Sequence, residues 1–566
     1  MNFTFNLITQ PWIPVLRDDG SFAELGLRDV LVQSPHLREV AHDSPLFVAS
    51  IYPLLTAIMH RVLPGQTDRE RITAWEKWWK QQSFGEVEVT ALDAYFARWS
   101  DRFDLFHPRF PFYQVAGLEM NESSALRRLA MEENNAPALF ANAADPDWQS
   151  PSPALAARLL ITIQNFALGF GKSSRAKIEG AEVEPPYSAD GPLLRGLTIW
   201  PSGETLFQTL MLSLVPHELP AADAPCWELD EPHELRDHLV NNKRQTAAPR
   251  GVCDLLTLQS RLIRLLPEER DGRVDVPRVF FTQGRSLEKD TTGRPAFHPL
   301  KLYTASKKEG LTVLALSENR AVWRNAHTLL SRNARSQHER NVLGWMEQLA
   351  AKRDIFAAGF RPNLNVVGMA TEPGKAGKFL LWRHDRLPLP PALLVDLNLV
   401  ELLESANEDA GLIAEEMRRR FALVARTFIA GGRDGGNKPD PDDVKALVSK
   451  FDPRRSFWSR LEKHFYELLN RLPEQPKSAL KDWEDDVQFA AQECLRAACN
   501  ALGTSPRAVT AVSQIDAGQL YNLPYLRDPK SYLAAKKERE RKSRTSRTNL
   551  ERTDAAASSL TITDAP

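Results

Sequence analysis

The pattern of hydrophobic and polar positions divides the chain into a long, mixed first part and a shorter, helical last part. In the first part, segments with apolar residues at three-four spacing alternate with short apolar runs typical of strands. The predicted helices lie near residues 45–63 and 69–82, over Ala154–Leu168 and Glu204–Leu214, and over much of Glu318–Phe360. The predicted strands are Phe3–Ile8, continued by the rigid Pro11–Val15, and two short strands around a polar turn within Val274–Lys301.

After Pro391 the pattern becomes helical throughout. Four segments carry apolar residues at three-four spacing, and glycine or proline separates them: Leu393–Ile429, Asp442–Leu472, Ala479–Leu502 and Arg507–Tyr521. Four such segments with short connections predict an antiparallel four-helix bundle. The predicted fold class is therefore α+β, with a large, irregular N-terminal domain at 1–390 and the bundle at 391–530. Residues 531–566, basic and then rich in Ser, Thr and Ala, are predicted to be disordered.

Composition narrows the function classes. The 566 residues carry a formal net charge of -1, which argues against a free-standing, nonspecific DNA-binding protein but permits local contacts within a larger complex. The four cysteines form no Cys-x-x-Cys pair, so we expect neither a zinc ribbon nor a disulfide framework, and the cytoplasm is the expected location. The N-terminus lacks a signal-peptide layout. The apolar run Leu46–Met59 is interrupted by Pro53 and is too short to span a bilayer, so no membrane association is expected.

The stretch from Asn165 to Lys177 resembles part of a nucleotide-binding loop. Gly171-Lys172-Ser173 matches the end of a Walker A motif, but Phe166 stands where that motif needs its first glycine. What remains is a glycine-hinged loop followed by three basic side chains, those of Lys172, Arg175 and Lys177. Glycines let the backbone approach a polyanion closely, and basic residues contact phosphates. The loop therefore favours nucleic acid over ATP.

Candidate catalytic residues are few. His384-Asp385 could belong to a metal-dependent phosphohydrolase, but a lone dipeptide at a strand end is more often structural. His107-Pro108 and His298-Pro299 are better explained as packed turn histidines than as metal ligands, and no Gly-x-Ser-x-Gly motif occurs. The sequence gives little support for an active site.

A second candidate for nucleic-acid contact is the basic stretch 320–353 with the residues that follow it, Gly359 to Asn365. The stretch carries seven arginines and lysines and fewer acids, which is also the pattern of an ordinary solvated helix face. Pro362 restricts the backbone, and Asn363 and Asn365 could project from a turn to probe base edges. A plain turn built from turn-forming residues explains the same pattern.

Several motifs, in this order, resemble the large subunit of the type I-E CRISPR surveillance complex Cascade, the CasA family. They are Asn6–Val15, Pro108–Val115, the loop Gly169-Phe170-Gly171, Gly359-Phe360-Arg361 with the asparagines after it, and the C-terminal helical segments. The resemblance covers essentially residues 1–530 and leaves the tail unmatched.

The resemblance implies a non-catalytic protein that reads the protospacer-adjacent motif (PAM) from the minor groove of duplex DNA. On the positions that match, the glycine loop falls on Gly169, Phe170 and Gly171 with Lys172 beside it, and a hairpin lysine on Lys289. A wedge that opens the first base pairs falls on Asn363, or on Leu364 or Asn365, because the family's Asn-Gln pair is Asn363-Leu364 here. An apolar wedge is physically sensible, since unstacking needs bulk.

The resemblance also implies the partners. They are target double-stranded DNA, guide RNA, the backbone, handle-binding and small subunits of the complex, and a recruited helicase-nuclease. Phe140 is the residue expected on the loop that docks against the 5′ handle of the guide RNA. No cofactor and no metal are expected, because the cysteines of the zinc site found in some members are absent. A metal-dependent nuclease or ATPase, and an architectural subunit that touches no DNA, remain as alternatives.

Overall fold

The structure is a computed structural model, and it divides the chain into two compact units. One unit comprises residues 1–322 and 332–387, and the other comprises 323–331 and 388–566. The residues that the structure describes are 3–130, 148, 150–169, 173–183, 185, 188–229, 246–287, 298–306, 310–316, 320–326, 330, 341–352, 355–356, 359–371, 379–431 and 439–513. The tail 531–566, predicted to be disordered, lies outside them.

The N-terminal unit combines helices with several small sheets, which confirms the predicted mixed α+β class. Its helices are α1 (Leu27–Val32), α2 (Pro45–Val62), α3 (Asp68–Gln81), α4 (Glu86–Trp99), α5 (Pro153–Phe166), α6 (Leu206–Ser213), α7 (Val252–Leu256) and α8 (Val342–Ala351). Its strands are β1 (Ile13–Arg17), β2 (Phe22–Leu25), β3 (Leu37–Val40), β4 (Leu118–Glu119), β5 (Ser124–Ala125), β6 (Ala176–Ile178), β7 (Ala181–Val183), β8 (Thr198–Ser202), β9 (Thr246–Ala247), β10 (Arg261–Arg270), β11 (Arg273–Gln283), β12 (Ser286–Leu287), β13 (Tyr303–Ser306), β14 (Gly310–Val313), β15 (Asn363–Thr371) and β16 (Phe379–Pro388).

The described strands form four three-stranded sheets and two two-stranded sheets. The first sheet has the order β2-β1-β3. The others are β10-β11-β5, β4-β6-β7, β16-β15-β8, β12-β9 and β13-β14. The pair β12–β9 is parallel, and the pairs β1–β2, β1–β3, β10–β11, β11–β5, β13–β14, β15–β8, β4–β6 and β6–β7 are antiparallel.

Helix α2 is the core helix of this unit. It runs through Pro53 without interruption, and residues 45 to 60 are all buried, which confirms the helix predicted near residues 45–63. Proline removes one helical hydrogen bond, but packing on α5, α6 and α7 holds the helix. Among the described residues, α2 is the one helix long and apolar enough in composition to cross a membrane, yet 89% of it is buried inside the protein. Its hydropathy is that of a core helix.

Two predicted strand regions differ from the observed ones. Residues Phe3–Ile8 form no strand; Asn6 makes one isolated bridge to Asp104, whose carboxylate accepts the Phe5 N–H at 3.0 Å. The predicted pair within Val274–Lys301 is instead one long hairpin of β10 and β11, which begins earlier. Its turn is Asp271-Gly272, where both residues have positive φ. Tertiary partners, rather than local alternation, decide both cases.

The described C-terminal unit is helical. Its helices are α9 (Pro391–Val395), α10 (Leu397–Ala430), α11 (Pro441–Lys450), α12 (Pro453–Arg471), α13 (Pro476–Asn500) and α14 (Pro506–Ser513). The 34-residue α10 contacts α11, α12, α13 and α14, and α12 packs on α13. The predicted helix Asp442–Leu472 is two helices, because Pro453 starts α12 and Asp452 caps it. The four-segment bundle stays a prediction in its detail.

Residues 323–331, distant in sequence, belong to this helical unit. Trp323 is 1% exposed, and its ring centroid lies 4.8 Å from that of Phe465 and 5.8 Å from that of Trp458. Arg324 stacks on Trp458 at 3.7 Å, and its carbonyl accepts the Asn407 amide at 2.6 Å. Within the described part of the stretch 318–360, which is predicted to be largely helical, the helical elements are one short turn, Val322–Asn325, and α8.

Candidate nucleic-acid interface

The predicted glycine loop begins where α5 ends. Phe166, the last residue of α5, has no exposed surface and is one of the largest fully buried side chains. The position where a phosphate loop needs glycine is therefore a core position, which agrees with the sequence argument against ATP. Gly169 is described; Phe170, Gly171 and Lys172 lie outside the described residues.

Gly169 is needed for packing against the segment 189–190. Its N–H donates to Asp190 Oδ1 at 2.8 Å. A Cβ atom at this position would lie 2.5 Å from the Ala189 carbonyl carbon and 2.6 Å from the Asp190 nitrogen, closer than atoms can approach. Asp190 Oδ2 also accepts Arg195 Nε at 2.6 Å. The first glycine of the loop is thus fixed by the protein's own backbone.

Arg261, at the start of β10, joins both sides of the loop base. Its guanidinium donates through Nη2 to the carbonyls of Leu168 at 3.1 Å and Ala189 at 2.7 Å, and through Nη1 to that of Ser260 at 2.8 Å. The side chain is 2% exposed, and this burial lowers its pKa to about 10. Sequence reasoning does not find Arg261, because nothing local marks an inward-facing arginine.

Gln283, at the end of β11, connects this base to the root of the segment that carries Lys289. Its Oε1 accepts the Ala189 N–H at 2.8 Å, and its Nε2 donates to the carbonyls of Ser260 and Gly284 at 3.2 Å each. Gly284 N then bonds the Ser260 carbonyl at 3.0 Å. Lys289 itself lies outside the described residues. The described residues that precede the two predicted DNA-contacting segments are joined by the hydrogen bonds of Arg261 and Gln283, and we call these joined residues the loop base.

A buried ion pair fixes Arg285, four residues before Lys289 in the sequence. Arg285 Nη1 and Nη2 donate to the two carboxylate oxygens of Asp254 at 2.7 and 3.0 Å, and Asp254 is 1% exposed. Burial alone raises the pKa of Asp254, but the hydrogen bonds from Arg285 and Arg250 hold that pKa below its usual value. Such a bidentate pair fixes orientation as well as position.

The basic residues after the loop are on the surface. Arg175, directly before β6, and Lys177, within it, are exposed. Lys177 has Glu119 and Glu182 as its cross-strand neighbours, so adjacent carboxylates offset part of its charge. This arrangement weakens the phosphate contact expected of Lys177.

The predicted wedge residues lie in a strand. Asn363, Leu364 and Asn365 begin β15 and pair with Ser202, Pro201 and Trp200 of β8, so the interpretation of this segment as a turn with two projecting amides is wrong. Leu364 is 1% exposed and Asn365 3% exposed. Asn365 Nδ2 donates to Ser202 Oγ at 3.0 Å, and its Oδ1 faces His384 Nε2 at 3.1 Å. Of the three, Asn363 has the accessible side chain.

The histidines weighed as metal ligands have structural partners. His384 stacks on Trp200 with centroids 5.6 Å apart, while Asp385 accepts the Val322 N–H at 3.0 Å. His298 is buried, which lowers its pKa to about 3, and its Nδ1 accepts the Leu300 N–H at 3.2 Å. His107 Nδ1 accepts the Phe110 N–H at 2.9 Å. These contacts agree with packed histidines.

Among the described residues, one group could supply three metal ligands, namely His464, Glu467 and Asp486 of the C-terminal unit. Their ligand atoms lie within 4.8 Å of one another, and His464 Nδ1 is 2.8 Å from Asp486 Oδ2. The group is half-exposed, and the close contact of His464 with Asp486 joins α12 to α13. Phe140, expected to dock against guide RNA, lies outside the described residues.

Comparison with known proteins identifies the family. The family model for the CRISPR-associated protein Cse1 matches residues 6–498. The chain belongs to the Cse1 (CasA) family. This confirms the resemblance to the large subunit of type I-E Cascade.

Individual relatives agree over nearly the whole chain. CasA/Cse1 of Thermus thermophilus is 30% identical over 520 residues, covering 90% of this chain and 95% of the relative. A crystal structure of CasA from the same organism superposes with a TM-score of 0.72 at 28% identity, covering 92% of this chain and 98% of that one. A chain of a CRISPR RNA-guided surveillance complex has the same fold, with a TM-score of 0.68 at 20% identity over 92% of this chain and all of its own.

Proposed function

We propose that this Cse1-family protein is the non-catalytic large subunit of a type I-E RNA-guided surveillance complex. In this role it recognises the PAM on target duplex DNA through the minor groove, starts strand opening and supports recruitment of the helicase-nuclease in antiviral defence. Its partners are target duplex DNA, guide RNA, the other Cascade subunits and the helicase-nuclease, in the cytoplasm. The fold it shares with a chain of a CRISPR RNA-guided surveillance complex supports this assembly.

One observation carries the DNA-reading part of the proposal. The predicted glycine loop and the predicted Lys289 segment, about a hundred residues apart in sequence, leave a common base of Arg261, Gln283 and the Ala189-Asp190 backbone. Two backbone-rich segments held at one place suit a minor groove, whose narrow width admits small residues and single basic side chains. A buried, fully hydrogen-bonded base supplies the rigidity that such readout needs.

The low net charge is consistent with this role. In RNA-guided recognition, base pairing with the guide reads the sequence, and the protein contacts only a short duplex motif. A chain with a formal net charge of -1 can make such a local contact without binding DNA nonspecifically. Minor-groove patterns are degenerate, so tolerance of several related PAMs is expected.

Neither enzymatic alternative gains support from the described residues. Phe166 occupies the core where a phosphate loop needs glycine, and His384 and Asp385 have unrelated hydrogen-bond partners. Among the proposed wedge residues, Asn363 at the accessible start of β15 is the preferred one. Leu364 and Asn365 then support it from the buried part of the strand.

The test is binding of PAM-containing and PAM-lacking duplexes by the assembled complex. We expect Lys289→Ala to weaken PAM-duplex binding by about tenfold or more, because it removes a groove and phosphate contact. Lys80→Ala is the matched control, since Lys80 is an exposed lysine on α3 far in sequence from every proposed contact. If Lys289→Ala and Asn363→Ala both bind PAM duplex as the unmodified complex does, the subunit is architectural. Release of phosphate from ATP that Lys172→Ala abolishes would instead establish an ATPase.

A further inference from the structure

Three arginines and two aromatic rings alternate on the surface where α4 ends. The Arg98 guanidinium carbon lies 4.9 Å from the ring centroid of Trp99. That of Arg102 lies 5.9 Å from the Trp99 centroid and 3.5 Å from the Phe110 centroid. The Arg109 guanidinium carbon lies 4.9 Å from the Phe110 centroid. We call these five residues the arginine–aromatic ladder.

Hydrogen bonds and ring stacking hold the central residues of the ladder in place. Trp99 is the last residue of α4, and a short turn, Ser100–Phe103, places Arg102 between the two rings. The Arg102 Nη1 donates to the Leu229 carbonyl at 2.8 Å. The Phe110 N–H bonds His107 Nδ1, and the two rings stack with an interplanar angle of 11°. The central part of the ladder is therefore preorganised.

The two ends of the ladder are free to bind. Arg98 and Arg109 are exposed, and within the described part of the chain neither forms an ion pair with a carboxylate. Other arginines of the same unit do form such pairs; Arg61, for example, contacts both oxygens of Glu228 at 2.8 and 2.7 Å. The carboxylate of Asp104, close in sequence, is occupied by the Phe5 and Phe106 N–H groups. Two unneutralised guanidinium groups flank half-buried ring surfaces.

We propose that the arginine–aromatic ladder binds a single strand of DNA. Bases stack on the half-buried Trp99 ring and on the planar guanidinium groups of Arg98 and Arg109, whose charges also attract the flanking phosphates. A duplex buries its base faces, and an acidic peptide offers charge without planar groups, so neither uses both halves of the ladder. The choice of DNA rests on the proposed function, because opening a target duplex releases a single strand beside this subunit.

The test uses the full-length protein and a fluorescein-labelled single strand of mixed sequence, about 12 nucleotides long and without a PAM, followed by fluorescence anisotropy. In the double variant Arg98→Glu/Arg109→Glu we expect binding to weaken by about tenfold or more. In Arg98→Lys/Arg109→Lys the charge remains but the planar stacking surface is lost. We therefore expect that variant to keep the salt dependence of binding while losing several-fold in affinity.

Arg69→Glu is the control, because Arg69 is an exposed arginine of α3 outside the ladder. The proposal is overturned if the Glu double variant binds within twofold of the unmodified protein, or if Arg69→Glu weakens binding equally. It is also overturned if an acidic peptide of equal charge competes as well as the DNA strand. Binding of a single RNA strand but not the DNA strand overturns the assignment to DNA.

This result is separable from that of the proposed function. Lys289→Ala tests PAM-duplex binding, and the ladder variants test binding of a strand without a PAM. Loss of strand binding in the ladder variants, with PAM-duplex binding unchanged in both Lys289→Ala and Asn363→Ala, supports the ladder and rejects the PAM-reading role. The reverse outcome rejects the ladder alone.

Discussion

The N–H of Gly169 donates a 2.8 Å hydrogen bond to Asp190 Oδ1, and the Gly169 Cα faces the Ala189 backbone with no room for a side chain. The glycine that begins the proposed DNA-contacting loop is therefore fixed by an internal contact. This relationship turns several substitutions into tests of how the loop base is built.

Gly169→Ala should lower stability and weaken PAM-duplex binding together. The added methyl would lie 2.5 Å from the Ala189 carbonyl carbon, so one of the two segments must move. We expect a loss of about 1–3 kcal/mol in the free energy of unfolding, typical of overpacking. The thermal unfolding midpoint and PAM-duplex affinity of the assembled complex measure the two effects. Unchanged values for both would contradict the close approach.

Gly411→Ala is the matched control in the helical unit. Gly411 lies inside α10, and a Cβ there meets nothing within 4 Å. Alanine in an unobstructed helix interior should stabilise by about 0.5–1 kcal/mol. DNA binding should not change. A destabilised Gly411→Ala variant would show that α10 is more tightly packed there.

Arg261→Lys should fail to replace arginine. The guanidinium bonds three carbonyls from two directions, and an ammonium group on a flexible stem cannot reach all three. Leaving buried carbonyls without donors costs about 1–3 kcal/mol each, so we expect a lower thermal midpoint and weaker PAM-duplex binding. Arg69→Lys on the surface of α3 is the control. If the two variants have the same thermal midpoint and the same PAM-duplex affinity, Arg261 does not stabilise the loop base.

Part of this architecture is readable from the sequence, and the rest depends on distant partners. The helix that ends at Phe166 can be predicted from its apolar spacing, and Phe166 is buried in the structure. The partners of the loop base cannot be predicted in this way, since Asp190 lies 21 residues from Gly169 and Arg261 lies 93 residues from Leu168. Strand β10 is hard to predict because Arg261 and Arg264 recur at a spacing typical of a helix. The strand is defined by its register with β11.

The Arg285–Asp254 pair should be coupled energetically to Lys289. Arg285→Ala leaves a buried carboxylate short of its main partner, which destabilises by about 3–5 kcal/mol and frees the root of the Lys289 segment. Once that root moves, removing Lys289 should matter less. We therefore expect the double variant Arg285→Ala/Lys289→Ala to lose less PAM-duplex affinity than the sum of the single variants.

The Arg28–Asp93 pair provides the control for this cycle. It is a surface ion pair at 2.6 Å with both side chains more than a third exposed. Arg28→Ala combined with Lys289→Ala should therefore give additive losses. Additive losses for the Arg285 cycle as well would mean that the buried pair does not position Lys289.

Lys301 should make stability depend on pH above neutrality. Its side chain is 5% exposed and its Nζ donates to the Arg195 carbonyl, the residue paired with Asp190. Burial lowers the pKa of Lys301 to about 7, from an ordinary value of 10.5. Between these two values the unfolded chain binds more protons than the folded one. Its contribution to the free energy of unfolding therefore rises with pH across this window, by at most about 1.4 kcal/mol per pH unit.

Lys301→Met removes this pH-dependent contribution. The difference in thermal midpoint between the unmodified protein and this variant therefore measures the contribution of Lys301. We expect the thermal midpoint of the unmodified protein, relative to that of Lys301→Met, to increase steadily from about pH 7 to about pH 9. His298, beside Lys301, stays neutral over this range because its pKa is about 3. Lys80→Met, at an exposed position of α3, should give no such trend. A constant difference between the unmodified protein and Lys301→Met would mean that Lys301 remains charged in the folded state, held by the Asp190 carboxylate, whose charge raises its pKa.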